Sequence, residues 1–262
     1  MLIQAKILKN YKLNSLDGVI GKVKDFYFED ETWTIRYLIV NTGNWLTGRQ
    51  VLISPKSIVS INKNEEYITI KLSKNQIENS PMLECDKPVS KQFQEEFYGY
   101  FGLPMYANGM QYGAAQGILP FSIIGTDRKS IENNARDENE RDPHLRSTNT
   151  VNSYNIRAID DDIGHVDDFI IDDETWKIQY MEIDTKNWLP GKKILISPNW
   201  IESVSWSESK VIVNLHCEEI ELAPEYTKET LLDRDYETRL YKHYNREGYW
   251  LNRTRVKEAS IT

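Results

Sequence analysis

The chain has 262 residues, 40% hydrophobic and 27% charged, with a formal net charge of -8, which leaves room for two domains and suits a globular protein rather than a disordered one. Its acidity disfavours nonspecific binding to nucleic acid or to an anionic membrane, both of which are held by basic surface. No apolar run approaches the roughly 20 residues of a membrane-spanning helix, and the opening MLIQAKILKN has no apolar stretch of signal-peptide length. The expectation is a cytoplasmic protein with no membrane span and no direct nucleic-acid partner.

Residues 1–20 read as the opening strand of a β unit, with Leu2, Ile7 and Leu13 as its apolar contributions and Asp17-Gly18 as a turn. Residues 21–60, GKVKDFYFEDETWTIRYLIVNTGNWLTGRQVLISPKSIVS, then recur as residues 164–203, GHVDDFIIDDETWKIQYMEIDTKNWLPGKKILISPNWIES. Roughly half of these positions are identical in unbroken register, which marks an internal duplication. Within each copy, Phe26 and Phe28, or Phe169 and Ile171, stand two apart, the period of a strand face. A polar turn follows at residues 29–32 and 172–175, where Asp and Thr side chains bond nearby backbone. Alternating aromatic, β-branched and polar residues from Trp33 and from Trp176 complete a hairpin.

A second turn carries Asn44-Trp45-Leu46 and Asn187-Trp188-Leu189. The short apolar runs Val51-Leu52-Ile53 and Ile194-Leu195-Ile196 end at Ser-Pro, because proline cannot donate to a strand ladder. Last strands at residues 67–72 and 211–215 close each set, and short strands at this spacing predict a small barrel or sandwich. Beyond each barrel, Val89, Phe93, Phe97 and Phe101, and at matching places Leu232, Tyr236, Leu240 and Tyr244, recur every fourth residue as one helix face. The plain expectation is that this face packs on its own barrel; packing on the other repeat or on a second subunit stays open. The polar, aromatic-poor stretch 107–144, interrupted by the apolar residues 119–124, reads as a linker. The expected organisation is therefore a first repeat with trailing helix at 1–106, a linker at 107–144 and a second repeat with trailing helix at 145–262.

The Gly-x-Val-x-Asp-Phe openings at Gly21 and Gly164, the Asp-Glu-Thr-Trp hairpins and the Gly-x-x-Val/Ile-Leu-Ile-Ser-Pro runs resemble the PRC-barrel family. That family includes the cytoplasmic domain of the photosynthetic reaction-centre H subunit and the C-terminal domain of a ribosome maturation factor. The whole chain is similar to bacterial tandem PRC-barrel proteins. The resemblance implies a mainly β fold: two small PRC-type barrels from an internal duplication, each followed by a helix.

Motifs of chemistry are sparse. The acidic pairs Asp30-Glu31 and Asp173-Glu174, with Asp160–Asp162 and Asp167-Asp168, read as turn or surface carboxylates rather than convergent metal ligands. His144, His165, His216 and His243 lack zinc spacing. Cys85 and Cys217 read as ordinary reduced thiols. Ser54 and Ser197, each ahead of a proline, read as turn formers, and no nucleophile elbow, phosphate loop or dinucleotide fingerprint is present. No catalytic residue, cofactor or metal is assigned. Trp33 and Trp176 are placed in the core or at its rim. The loop tryptophans Trp45 and Trp188, with Asn44 and Asn187, are the candidate partner-binding residues, since aromatic side chains concentrate at binding hot spots; the competing reading is that each tryptophan covers one end of its barrel. The leading functional reading is a non-catalytic scaffold presenting two barrels to a protein partner that the sequence does not identify. A ribosome- or RNA-processing-linked factor, an H-subunit-like role and, last, a metal-dependent enzyme are the alternatives; homodimerisation is left open.

Overall fold

The computed structural model describes residues 1–46, 48–81, 89, 91–103, 106–107, 110–111, 144–185, 191–227 and 229–251. In the first repeat, β1 (Leu2–Gln4) and the short helix α1 (Ala5–Leu8) precede β2 (Lys12–Ser15), β3 (Gly18–Glu29), β4 (Thr34–Asn41), β5 (Gln50–Ile53), β6 (Ile58–Asn62) and β7 (Tyr67–Ile70). Helices α2 (Lys74–Glu78) and α3 (Lys91–Phe101) follow, then a small hairpin of β8 (Tyr106–Ala107) and β9 (Met110–Gln111). The second repeat runs through β10 (Leu145–Ser147), α4 (Thr148–Val151), β11 (Asn155–Arg157), β12 (Asp162–Asp172), β13 (Ile178–Asp184), β14 (Lys193–Ile196), β15 (Ile201–Ser205), β16 (Lys210–Val213), α5 (Cys217–Glu221) and α6 (Arg234–His243). Two seven-stranded sheets result, ordered β5-β4-β3-β2-β7-β6 and β14-β13-β12-β11-β16-β15, each with one more strand on its long central member. The fold is mainly β, as the sequence predicts. Most of the 107–144 linker lies outside the described residues.

The extra strand in each sheet comes from the other repeat. β1 pairs antiparallel with β12, Ile3 facing Ile171, while β10 pairs with β3, Arg146 facing Phe28. Residues 1–20 therefore do not form a single opening strand of the first barrel. Leu2 extends the second barrel, Ile7 is exposed on α1, and only Leu13 enters the first core. A buried carboxylate fixes each exchange. Asp168 accepts the Lys6 N–H at 3.2 Å, just after β1. Asp25 accepts the Ser147 and Thr148 hydroxyls at 2.5 and 2.7 Å and the Asn149 N–H at 3.1 Å, just after β10. Backbone donors at the starts of α1 and α4 would otherwise be orphaned, so the aspartate of one repeat completes the chain turn of the other.

The hairpins β3–β4 and β12–β13 meet across the pseudo-twofold relating the repeats. The Ile35 N–H donates to Trp176 O at 2.8 Å, and the Ile178 N–H to Trp33 O at 2.7 Å. Trp33 and Trp176 hold matching left-handed conformations, φ 54° and 57°, and both are buried. Phe28 lies 5.1 Å from Trp33 and 5.9 Å from Phe169, centroid to centroid. One hydrophobic core thus runs through both repeats rather than two cores sitting side by side.

Both trailing helices pack on their own barrels. Every interior position of β4 is buried because both of its faces are covered. Leu38 and Val40 point into the shared core, while Tyr37 and Ile39 lie with Leu52 under Phe97 and Tyr98 of α3. In the second repeat the Ile39 position is Glu182, which an apolar helix face cannot cover cheaply. Helix α6 instead sets Tyr241 and Tyr244 against Trp200, at ring distances of 5.2 and 4.8 Å, where the first repeat has Ser57. Phe97 meets Tyr37 edge-on at 5.2 Å and is fully buried. Phe97→Ala is expected to cost about 3 kcal/mol or more in denaturant unfolding; a loss under about 0.5 kcal/mol, the level of a surface change, would show that α3 contributes little to holding the barrel.

Candidate interaction surface

The loop carrying Trp45 is braced rather than open. Thr42 bonds Arg49 O through its N–H at 3.2 Å and its hydroxyl at 2.7 Å; the Gly43 N–H reaches Asn41 Oδ1 at 2.9 Å, and the Arg49 N–H reaches Leu46 O at 2.9 Å. Gly43 and Gly48 supply the left-handed turns, φ 55° and 79°. The Arg49 guanidinium then ties the loop to the end of α2, donating to Glu78 O at 3.0 Å and Ser80 O at 2.9 Å. Trp45 is half-buried, with one part of its ring on the core and Lys74 Nζ 5.7 Å from its centroid. Lys74 joins this loop to the β2–β3 turn, because its N–H donates to Asp17 Oδ1 at 2.8 Å. Leu16 on that turn is 71% exposed, and Val19, just inside β3, is 43% exposed. Asn44, next to Trp45 in the chain, is exposed. Trp45, Lys74, Leu16 and Val19 therefore gather at one end of the first barrel. The tryptophan both covers the core and contributes to this surface, so the two sequence readings of it are compatible.

The second repeat has the same frame. The Cys217 N–H donates to Asp160 Oδ1 at 2.9 Å, and Thr185 bonds Lys192 O. Ile159, at the place of Leu16, is 48% exposed. Trp188 and Asn187 lie outside the described residues, as does Cys85. Burial first, then Asp160, push the Cys217 thiol up to about 11, which keeps it protonated at neutral pH. Sequence reasoning missed Leu16 and Ile159; their signal is an apolar residue ahead of Asp-x in a turn, kept in both copies.

Of the predicted acidic residues, Asp30 and Asp173 serve the seam between the repeats. Asp30 holds Arg146 Nε at 2.9 Å and His144 Nδ1 at 3.0 Å, and the Arg146 guanidinium lies 4.2 Å above Trp206. Asp173 pairs with the amino group of Met1. Asp172 closes its own turn, accepting the Glu174 N–H and the Thr175 hydroxyl. Ser54 and Ser197 accept the Lys56 and Asn199 N–H groups as helix caps. Between the first repeat's β6 edge and the second repeat's 173–176 turn lies a groove of about 590 Å³, lined by Thr34, Pro55, Ile58, Val59, Glu174 and Trp176 among others.

A third cluster is closed. Glu182, 2% exposed, binds the Gln4 amide at 2.7 Å and Lys193 Nζ at 2.6 Å. Lys193 also meets Asp167 at 2.6 Å, and Asp167 meets Lys6 at 2.6 Å. Burial alone would raise Asp167, but its hydrogen bonds to Lys193 and Lys6 outweigh that and hold it down at about 2. Burial opposes the charge on Lys193, yet its hydrogen bonds to Asp167 and Glu182 raise it above the ordinary lysine value. Asp168 is pushed up to about 7, first by burial and further by the Glu182 charge, against the pull of the Phe169 and Lys6 N–H groups. These bonds are spent on joining β1 and α1 to the second barrel.

No helix among the described residues is long and apolar enough to cross a membrane. No curated protein matches the chain. The PRC-barrel domain model matches twice, over residues 14–77 and 148–216, together about half of the chain. Those spans coincide with the two duplicated strand sets, and the chain is a tandem member of the PRC-barrel domain family.

Proposed function

We propose that the chain is a non-catalytic interaction scaffold that offers the ends of its two barrels to a protein partner. The observation carrying this reading is the surface at Trp45: Leu16 and, at the start of β3, Val19 stand exposed at a turn that Lys74 fastens to a tightly bonded tryptophan loop. An apolar surface on a pre-ordered frame binds without the entropy cost of ordering a loose loop. Ile159 in the second repeat supports a two-ended scaffold, because two weak contacts on one rigid body bind a paired partner more tightly than either alone.

The double change Trp45→Ala, Trp188→Ala tests the reading in the native cell. The wild-type chain should retain one stoichiometric protein partner on affinity purification, identified by mass spectrometry. The double variant should lose at least about tenfold in affinity for that partner, the size of a single aromatic hot spot, while its circular dichroism stays native. Undiminished affinity would remove the barrel ends from the interface.

A further inference from the structure

We propose that the apolar residues 119–124 of this chain add as an extended strand to the β6 edge, beside its groove. This surface is separate from the Trp45 end and stands whether or not that end binds a partner. β6 and β15 are the matching end strands of their sheets, and among the described residues neither is paired on its outer side. Such an edge is a template for another strand unless charge or cover blocks it. On β15 the exposed second residue is Glu202, and Arg146, held by Asp30, lies on Trp206 just past the strand's end. At the three matching places the first repeat has Val59 for Glu202, Ile3 for Arg146 and Lys63 for Trp206. β6 itself, IVSIN, carries no charge, Val59 is 64% exposed, and the groove of about 590 Å³ runs alongside.

The groove favours an uncharged occupant. Its lining carries the Met1 ammonium and Lys56 together with Asp173 and Glu174. Met1 already pairs with Asp173, and Lys63 Nζ lies 3.1 Å from the Met1 sulfur. A strand charged with either sign would meet its like here and give up water as well. An uncharged strand meets neither cost. It takes its affinity from the main chain of β6 and its apolar contacts from Ile58, Val59, Ile61 and Trp176.

Residues 119–124, LPFSII, fit that description. They carry no charge, stand between Gly117 and Gly125, and place Phe121 and Ile123 two apart. Pro120 sits where the strand would begin, a place that tolerates proline. They lie outside the described residues, but the stretch that carries them is anchored at both ends, since Leu103 and Leu145 pack on the same apolar cluster as Phe97. Leu145 faces Glu29, Glu29 faces Thr34, and Thr34 lines the groove, two strand spacings or about 10 Å in all. A chain of about 20 residues spans roughly 25 Å even without structure, so residues 125–144 reach the groove with slack. Tethering of this kind gives an effective concentration in the millimolar range, which fills an edge too weak to hold a free peptide. A filled edge no longer offers a template for pairing between copies.

The test follows backbone amides of the full chain by nuclear magnetic resonance. The double change Phe121→Asp, Ile123→Asp charges the segment, and Val59→Glu copies onto β6 the charge found on β15. Amides of residues 58–62 that point away from β7 should exchange with solvent at least tenfold more slowly in the wild type than in either variant, while those of β7 keep their rates. The shifts that the double change produces should concentrate in residues 58–62 and 173–176. Val59 is exposed, so its variant should melt as the wild type does, and that melt is measured alongside. Three results would overturn the proposal: equal exchange at residues 58–62 in the wild type and the double variant; shifts that gather on another surface, which would seat the segment there; or protection that fades on tenfold dilution, which would assign the edge to a second copy of this chain.

Discussion

Gly21→Ala is expected to destabilise the protein by about 3 kcal/mol or more, and Gly164→Ala by a similar amount, the upper range for overpacking a rigid site. A Cβ on Gly21 would stand 2.0 Å from the carbonyl oxygen of Asn41, and one on Gly164 would stand 2.1 Å from that of Asp184. Both obstacles are backbone, held in the β3–β4 and β12–β13 ladders by the pairs Lys22↔Asn41 and His165↔Asp184. Neither can swing aside as a side-chain tip would. Asn41 also begins the Trp45 loop through its bond to the Gly43 N–H, so a forced shift there should disturb the barrel end as well. Gly99→Ala is the control: nothing lies within 4 Å of its added Cβ, and it sits in α3, where alanine gains up to about 1 kcal/mol over glycine. Urea unfolding followed by circular dichroism measures all three. A Gly21→Ala midpoint close to wild type would mean that β3 and β4 approach less closely than described.

Asp168 should make the protein less stable as pH rises from about 4 to about 7. Its folded carboxyl titrates near 7, against an ordinary aspartate value near 3.9 in the unfolded chain. Between those values the folded state holds a proton that the unfolded state has released, so its stabilising share is complete below the lower value and is lost through the upper one. A shift of this size corresponds to at most about 4 kcal/mol. The charged groups facing Asp168 are Glu182, Lys6, Lys9 and, beyond Glu182, Lys193 with Asp167, and the neutral phenol of Tyr226 faces it too. Asp167 works in the opposite sense but at lower pH, gaining stability as pH rises from about 2 to its unfolded value. Asp168→Asn keeps an acceptor for the Lys6 N–H and removes the titration. Its thermal midpoint should vary much less than that of wild type between pH 4 and 7. If both proteins show the same slope, the pH dependence belongs elsewhere.

The hairpins were legible because their signals are local: apolar residues two apart, an acidic turn and a tryptophan, all within about a dozen residues and printed twice. The trailing helices were legible from their four-residue stripes. The exchange of β1 and β10 was not. The pattern Leu-Ile-Gln says that a strand exists, but the edges of β3 and β12 are near copies, and the choice between them is made by contacts far away in sequence, such as Lys6 N–H with Asp168. The candidate surface was legible only at its tryptophan. Leu16 and Lys74 come from a different turn and a different helix, and only folding brings them to Trp45. The β6 groove was hidden for a further reason. Repetition was the signal in the sequence, whereas the groove exists where the copies differ, at Ile3 against Arg146, Val59 against Glu202 and Lys63 against Trp206.

The crossed strands also dictate an order of events during synthesis. The first barrel's sheet needs β10 beside β3, with Ser147 and Thr148 on Asp25, so it cannot be finished by the amino-terminal half emerging alone. β1 has its partner in β12 and must wait until Ile171 has been made. Domains usually fold one after another as a chain is made; here the two repeats are bound to finish together. Contacts this distant in sequence slow folding, and until β10 arrives the growing chain carries an unfilled edge beside Phe28, the stage at which it would depend most on chaperones.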